Sequence, residues 1–196
     1  MMQLGRRRLL WALAAAGGAR FGLATARLAN AQEKLSPTPS CTDDDGPTPA
    51  QIEGPYFTPN SPERWQLREP GMVGSPILLT GRVVTQSCKP IASALVELWH
   101  ADDSGTYDNE GYRLRGHQFT NAAGVYRFST IVPGSYPGRT RHFHLKFQAP
   151  GKSVLTTQFY FPDEPGNERD RLFDPALLLT IDGSEPTGRF DVVLAV

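Results

Sequence analysis

Ala94-Leu95-Val96-Glu97-Leu98-Trp99-His100 is the stretch that decides the fold. Leu95, Glu97 and Trp99 alternate with Val96, Leu98 and His100, so the two sets fall on opposite faces of an extended strand. Runs of the same kind recur on both sides. Residues 77–84 precede it, and 115–120, 125–131, 142–148, 155–161 and 189–196 follow, with Asn121-Ala122-Ala123-Gly124 as a tight connection between two of them. The chain carries 19 Gly and 17 Pro, a share that suits many turns between short strands better than long helices. About seven or more short strands, few helical turns (one expected over 167–173) and no internal repeat predict an all-β fold, a β-sandwich over residues 76–196.

Upstream of the strands the composition changes. Residues 32–75 are rich in Pro, Ser, Thr and Asp with isolated apolar residues, and read as an extended N-terminal arm and wrapping segment without a core of its own. Residues 1–31 read as a leader: Gly5-Arg6-Arg7-Arg8-Leu9-Leu10 is a twin-arginine-type start, an apolar run follows over 9–19, and Ala29-Asn30-Ala31 is a small-residue cleavage pattern. A membrane anchor is the competing reading, but the apolar run is too short to span a bilayer and Arg20 and Arg27 interrupt its continuation. The expectation is an exported protein, periplasmic or extracellular, with no stable membrane anchor once the leader is cleaved.

The leader holds five of the chain's 20 basic residues and no acidic one, so the rest carries 15 basic against 20 acidic residues, a net charge of −5. An acidic domain without a basic run is a poor nucleic-acid binder. Two cysteines, Cys41 and Cys88, can pair in an oxidising compartment or remain two thiols. A bridge would tie the arm to the first strands, and a loop of that length is worth about 4 kcal/mol in the chain-entropy account.

The chemistry concentrates around Arg141-His142-Phe143-His144 at the start of a strand. His142 and His144 project on one face and form half of a metal site. Alone, such a pair also fits two surface histidines. Tyr136 sits six residues earlier in Pro133-Gly134-Ser135-Tyr136-Pro137-Gly138, a loop whose Pro and Gly residues fix the backbone and aim one large side chain. Tyr107 follows Asp102-Asp103-Ser104-Gly105-Thr106, just past the strand ending at Trp99-His100. Both tyrosines also fit ordinary loop aromatics. No cysteine stands near the histidine pair, which argues against structural zinc. Trp99 and Tyr126 read as core; His100 and His117 read as structural.

The chain resembles the intradiol ring-cleavage dioxygenases over residues 50–165. The segments that carry the likeness are Val96-Glu97-Leu98-Trp99-His100-Ala101-Asp102, Gly105-Thr106-Tyr107, Gly124-Val125-Tyr126-Arg127-Phe128, Tyr136-Pro137-Gly138-Arg139, His142-Phe143-His144 and Thr156-Thr157-Gln158-Phe159-Tyr160-Phe161, with Glu53-Gly54-Pro55-Tyr56 upstream. The resemblance implies a mononuclear Fe(III) centre in which Tyr107 and His142 are equatorial ligands and Tyr136 and His144 axial ones. It further implies Arg139 as the active-site arginine, Gln158 beside the substrate ring and Tyr56 at the mouth of the site. Phenolate oxygen and imidazole suit ferric iron, and Fe³⁺ with two tyrosinates and a hydroxide sums to zero charge, which a buried site can hold. The implied reaction opens a catechol with O2 to a cis,cis-muconate-type diacid. Tyr136 would accept a substrate proton, Arg139 would stabilise negative charge on the ring and Gln158 would orient it.

The short span from Tyr136 to His142, together with the leader, resembles the exported branch of the family. No helical N-terminal region of the kind intracellular catechol enzymes use to pair is legible, although nothing opposes self-association. For a carboxylated ring, Arg113, Arg115 and Arg141 are the candidate cations. Two other function classes compete. Gly81-Arg82-Val83-Val84 followed by Lys89-Pro90-Ile91-Ala92-Ser93-Ala94 also resembles the opening of exported carbohydrate-binding modules. A protein that binds iron and catechols without cleaving them is the other.

Overall fold

The computed structural model describes residues 46–183 and 186–196. The expected leader, the first part of the arm and Cys41 lie outside the described residues. Nine strands follow in chain order: β1 Pro76–Thr85, β2 Leu95–Trp99, β3 Arg115–Phe119, β4 Val125–Ile131, β5 His142–Gln148, β6 Leu155–Tyr160, β7 Thr180–Asp182, β8 Thr187–Arg189 and β9 Val192–Leu194. Two 3-10 turns, Asn167–Arg169 and Pro175–Leu177, are the helical elements among these residues, and no described helix is long and apolar enough to cross a membrane.

The strands form two sheets. One runs β4-β1-β8-β7, with β9 also on β1; the other runs β3-β2-β5-β6. Apolar residues at alternate positions of both sheets meet in one core. It includes Leu79 and Val83 of β1, Val96 and Leu98 of β2, Phe128 of β4, Phe143, Leu145 and Phe147 of β5, and Phe159 of β6. This is the β-sandwich that the alternation predicts.

The C-terminal part differs from the expected single strand over 189–196. It forms two short strands that lie in turn along β1, both parallel to it: β8 beside Leu78–Thr80 and β9 beside Val83–Thr85. The break falls at Phe190 and Asp191. The Asp191 carboxylate accepts the Arg82 N–H at 2.7 Å, and the Tyr126 hydroxyl donates to the Phe190 carbonyl at 2.8 Å, so side chains replace ladder bonds there. β7, absent from the sequence reading, pairs antiparallel with β8. Its signal was present in Asp182-Gly183, with Gly183 at φ 79°.

The wrapping segment is extended and borrows its partners. Backbone bonds join Arg64 and His117 (2.9 Å) and Leu67 and Ser129 (2.9 Å), so this segment runs between the open edges at β3 and β4. Leu67 is buried in the sandwich core. Cys88 is disulfide-bonded.

Candidate metal centre and substrate pocket

Strand alternation leaves the outer face of the β3-β2-β5-β6 sheet for other work. Register places Arg115, Trp99, His144 and Gln158 in one row straight across its four strands, with Trp99 opposite both Arg115 and His144, and His144 opposite Gln158. His142 lies opposite Tyr160, two positions along. All six are buried, because the wrapping segment and the loops bearing Tyr107 and Tyr136 cover this face.

The two histidines turn the same ring edge toward one point. His142 Nδ1 lies 2.6 Å from the Thr140 carbonyl, which can only accept, so Nδ1 carries the proton and Nε2 the lone pair. The Nε2 atoms of His142 and His144 are 3.1 Å apart. Two metal–nitrogen bonds of about 2.1 Å at nearly a right angle subtend about that distance. Burial lowers His142 to about 4, with Arg139 adding to the effect. His144 falls well below its ordinary value through burial and then the nearby His142. Both rings are therefore neutral near pH 7, as a pair of metal-binding imidazoles would have to be. Trp99 stacks on the His144 ring, centroids 5.0 Å apart and planes 11° from parallel, so this residue, expected in the core, is also a wall that fixes the orientation of that imidazole.

The tyrosines arrive from two loops that dock on each other. The Asp102 carboxylate accepts from the backbone N–H groups of Ser104 and Thr106, both at 3.0 Å, and shapes the first loop. Gly134 of the second loop donates to the Asp102 carbonyl at 2.7 Å. The backbones touch at Gly105 and Gly134, where an added Cβ would meet carbonyl oxygen at 2.4 Å on either side, so glycine is required at the contact. Tyr107 Oη comes to 3.5 Å from His142 Nε2. Ring centroids separate Tyr136 from Tyr107 by 5.9 Å and from His142 by 5.7 Å. Burial, and next Tyr136, raises the Tyr107 phenol far above its ordinary range. Burial raises Tyr136 as well, although Arg139 opposes it. Phenols so placed ionise only beside a cation. Two hard oxygens from these loops and two imidazole nitrogens of the sheet make a donor set that fits a trivalent or divalent transition metal. No group of three or more His, Cys, Asp or Glu among the described residues offers an alternative.

Other residues expected at the site are there. Tyr56 stacks on Tyr107 at 4.4 Å. The Arg139 guanidinium donates through Nε to both oxygens of Asp170, at 3.1 and 2.9 Å, and through Nη2 to Gln158 Oε1. Burial alone would lower the Arg139 pKa; the Asp170 carboxylate more than reverses this. Gln158 Nε2 donates to the Ile52 carbonyl at 3.1 Å, which ties the wrapping segment to the same network. Gly54, at φ 76°, brings that segment over His144, where a Cβ would lie 3.4 Å from Cε1.

Arg115 is not available to a substrate carboxylate. It is 1% exposed, and its donors go to the carbonyls of Asp108 (3.0 and 2.6 Å) and Tyr56 (2.6 Å). It thus clamps the Tyr107 loop to the wrapping segment. Arg141 pairs with Glu164 at 3.2 Å. His100 is structural, its ring between the Ala101 carbonyl and the Thr130 hydroxyl. Asp170, which no sequence signal singled out, is the acidic partner of the site arginine.

The family model described as "Dioxygenase" matches residues 52–175. The chain is 31% identical over 171 residues to the catechol 1,2-dioxygenase 2 of Acinetobacter lwoffii, covering 74% of this chain and 60% of that enzyme. It is 53% identical, with a TM-score of 0.75, to the dioxygenase domain of a dioxygenase carbohydrate-binding protein fusion from the cellulolytic bacterium Streptomyces sp. SirexAA-E, covering 77% of this chain and 99% of that domain. An intradiol ring-cleavage dioxygenase from Tetranychus urticae is 26% identical, with a TM-score of 0.70 over 77% of this chain and 95% of its own. The chain belongs to the intradiol ring-cleavage dioxygenase family. It spans 60 to 65% of the length of the first three curated relatives it matches.

Proposed function

We propose that this protein opens the ring of a catechol-type aromatic with O2, at one iron(III) ion held by Tyr107, Tyr136, His142 and His144. Both oxygen atoms enter the product, a cis,cis-muconate-type diacid. The observation that carries the reading is the convergence of donor atoms: His142 Nε2 lies 3.1 Å from His144 Nε2 and 3.5 Å from Tyr107 Oη. Iron(III), when bound, would hold both tyrosines as phenolates and draw electron density from a bound catecholate, so that the ring becomes reactive toward O2.

The chain's own residues divide the remaining work. Tyr136, half-buried, is placed to take a catechol hydroxyl proton on its phenolate oxygen. Arg139 sets a fixed positive charge against the negative charge that develops on the ring. Gln158, anchored at Ile52, orients the ring beside it. Tyr56 and Trp99 exclude water from the ligands. Catechol and hydroxyquinol, named for curated relatives, are the first substrates to try. The reading extends to location: residues 1–31 act as a cleaved export signal, and the reaction takes place outside the cytoplasm.

Oxygen uptake tests the activity. Iron-loaded protein given catechol or hydroxyquinol should consume one O2 per ring and yield the diacid. Binding of catechols without oxygen uptake across a panel of substituted rings would refute the catalytic reading.

A further inference from the structure

Arg139 has open space on one flank. The cavity of about 340 Å³ beside it is lined by Ser135, Tyr136, Arg139 itself, Glu164, Arg169 and Asp170 among others. Packing therefore leaves the guanidinium room to swing away from Gln158, which does not line this cavity. What opposes this is Asp170. Its carboxylate side chain is 1% exposed. Besides Arg139 Nε, it accepts from the backbone N–H groups of Thr140 at 3.0 Å and Leu172 at 2.9 Å. A carboxylate held by two backbone donors is itself immobile, and the charge-assisted bonds it makes are the strong kind. The guanidinium is planar, so fixing Nε fixes the direction of the whole fork. The free end then meets Gln158, which is anchored at Ile52.

We propose that Asp170 is a positioning residue for the ring-opening step: it aims the Arg139 fork at Gln158 and the substrate ring and keeps it out of the adjoining cavity. This rests on the proposed function. The claim concerns direction, not charge, and that separates it from a purely structural role in which Asp170 only joins the backbone at Thr140 to that at Leu172. A lysine at 139 keeps the positive charge but cannot bond Asp170 and Gln158 together in one plane.

The test compares Arg139→Lys, Asp170→Asn and the double variant, each loaded with iron. Melting temperature, iron content, the anaerobic dissociation constant for catechol and steady-state kcat are measured for all. Both single variants should lose about tenfold or more in kcat while catechol affinity changes less than about threefold, the pattern for an interaction that matters in the transition state. The double variant should be no slower than Arg139→Lys, because the two residues act as one unit. Iron content should stay at the wild-type level. Arg139→Lys with kcat within about twofold of wild type overturns the proposal, as do losses that multiply in the double variant. If Asp170→Asn does not fold, Arg139→Lys, which leaves the backbone contacts of Asp170 intact, still refutes the proposal by turning over within about twofold of wild type. Wild type that consumes oxygen beside an unimpaired Arg139→Lys refutes only this assignment. Wild type that consumes none refutes the function beneath it as well.

Discussion

The two faces of the β3-β2-β5-β6 sheet are built on opposite principles from the same strands. The inner face presents Val96, Leu98, Phe143, Leu145, Phe147 and Phe159 to the sandwich core. Its contribution is apolar area, and any well-packed set of similar volume would do. The outer face presents Trp99, Arg115, His142, His144, Gln158 and Tyr160, where individual atoms are aimed. Arg115 donates to two named carbonyls, and Gln158 is held at both ends of its amide. Phe143 and His144 are sequence neighbours with unrelated tasks. The difference teaches that a period of two lets one strand carry the fold and the chemistry without compromise between them.

Substitutions on the two faces should separate cleanly. The largest effect is expected from His144→Ala, with loss of bound iron and a fall in turnover beyond the roughly 100-fold that changing a residue behind a ligand costs; metal analysis and oxygen uptake check both. Tyr136→Phe keeps the ring and removes only the oxygen, so turnover should drop by about 10²–10⁴ while the fold, followed by circular dichroism, stays intact. On the inner face, Phe143→Ala should cost about 3–5 kcal/mol in denaturant unfolding, with iron still bound while the protein is folded. That outcome, set beside His144→Ala, would make the contrast between the faces quantitative. Equal loss of iron in both variants would break it.

Smaller effects probe the covering segments. Gly54→Ala forces a side chain into a left-handed conformation beside the His144 ring and should cost about 1 kcal/mol, with weakened iron retention. Asp102→Asn tests the Tyr107 loop. Burial alone would raise the Asp102 carboxyl, but hydrogen bonds from Ser104 and Thr106 together outweigh it and hold the group below its ordinary 3.8. A depressed folded-state pKa contributes stability above the unfolded value, lost as pH falls through the folded one. The variant should therefore be less stable than wild type at pH 6–7, and the gap should close below 3.8 as the wild-type carboxyl protonates. A gap unchanged down to pH 2 would sink the account of this loop.

Much of this was legible in the residues. The alternation of 94–100 and its repeats gave the first six strands within a residue, and 125–131 and 142–148 are the observed bounds of β4 and β5. His142 and His144 were readable because the strand period alone puts them on one face. Tyr107 and Tyr136 were readable only through resemblance, since nothing local in either loop says that the loops dock at Gly105 and Gly134. Asp170 was invisible for the same reason, being 31 positions from the arginine it holds. Arg115 stood unranked among three candidate cations because its burial depends on register with Trp99, a long-range pairing. The C-terminal strand was drawn as one because the Asp191 carboxylate, not sequence periodicity, interrupts it.

The most direct measurement is an iron determination on the purified protein together with its visible spectrum. The account predicts one iron per chain and a red-brown colour from tyrosinate bound to iron(III), with a band that moves when catechol is added without oxygen. Protein that stays colourless and iron-free after reconstitution with iron would contradict it.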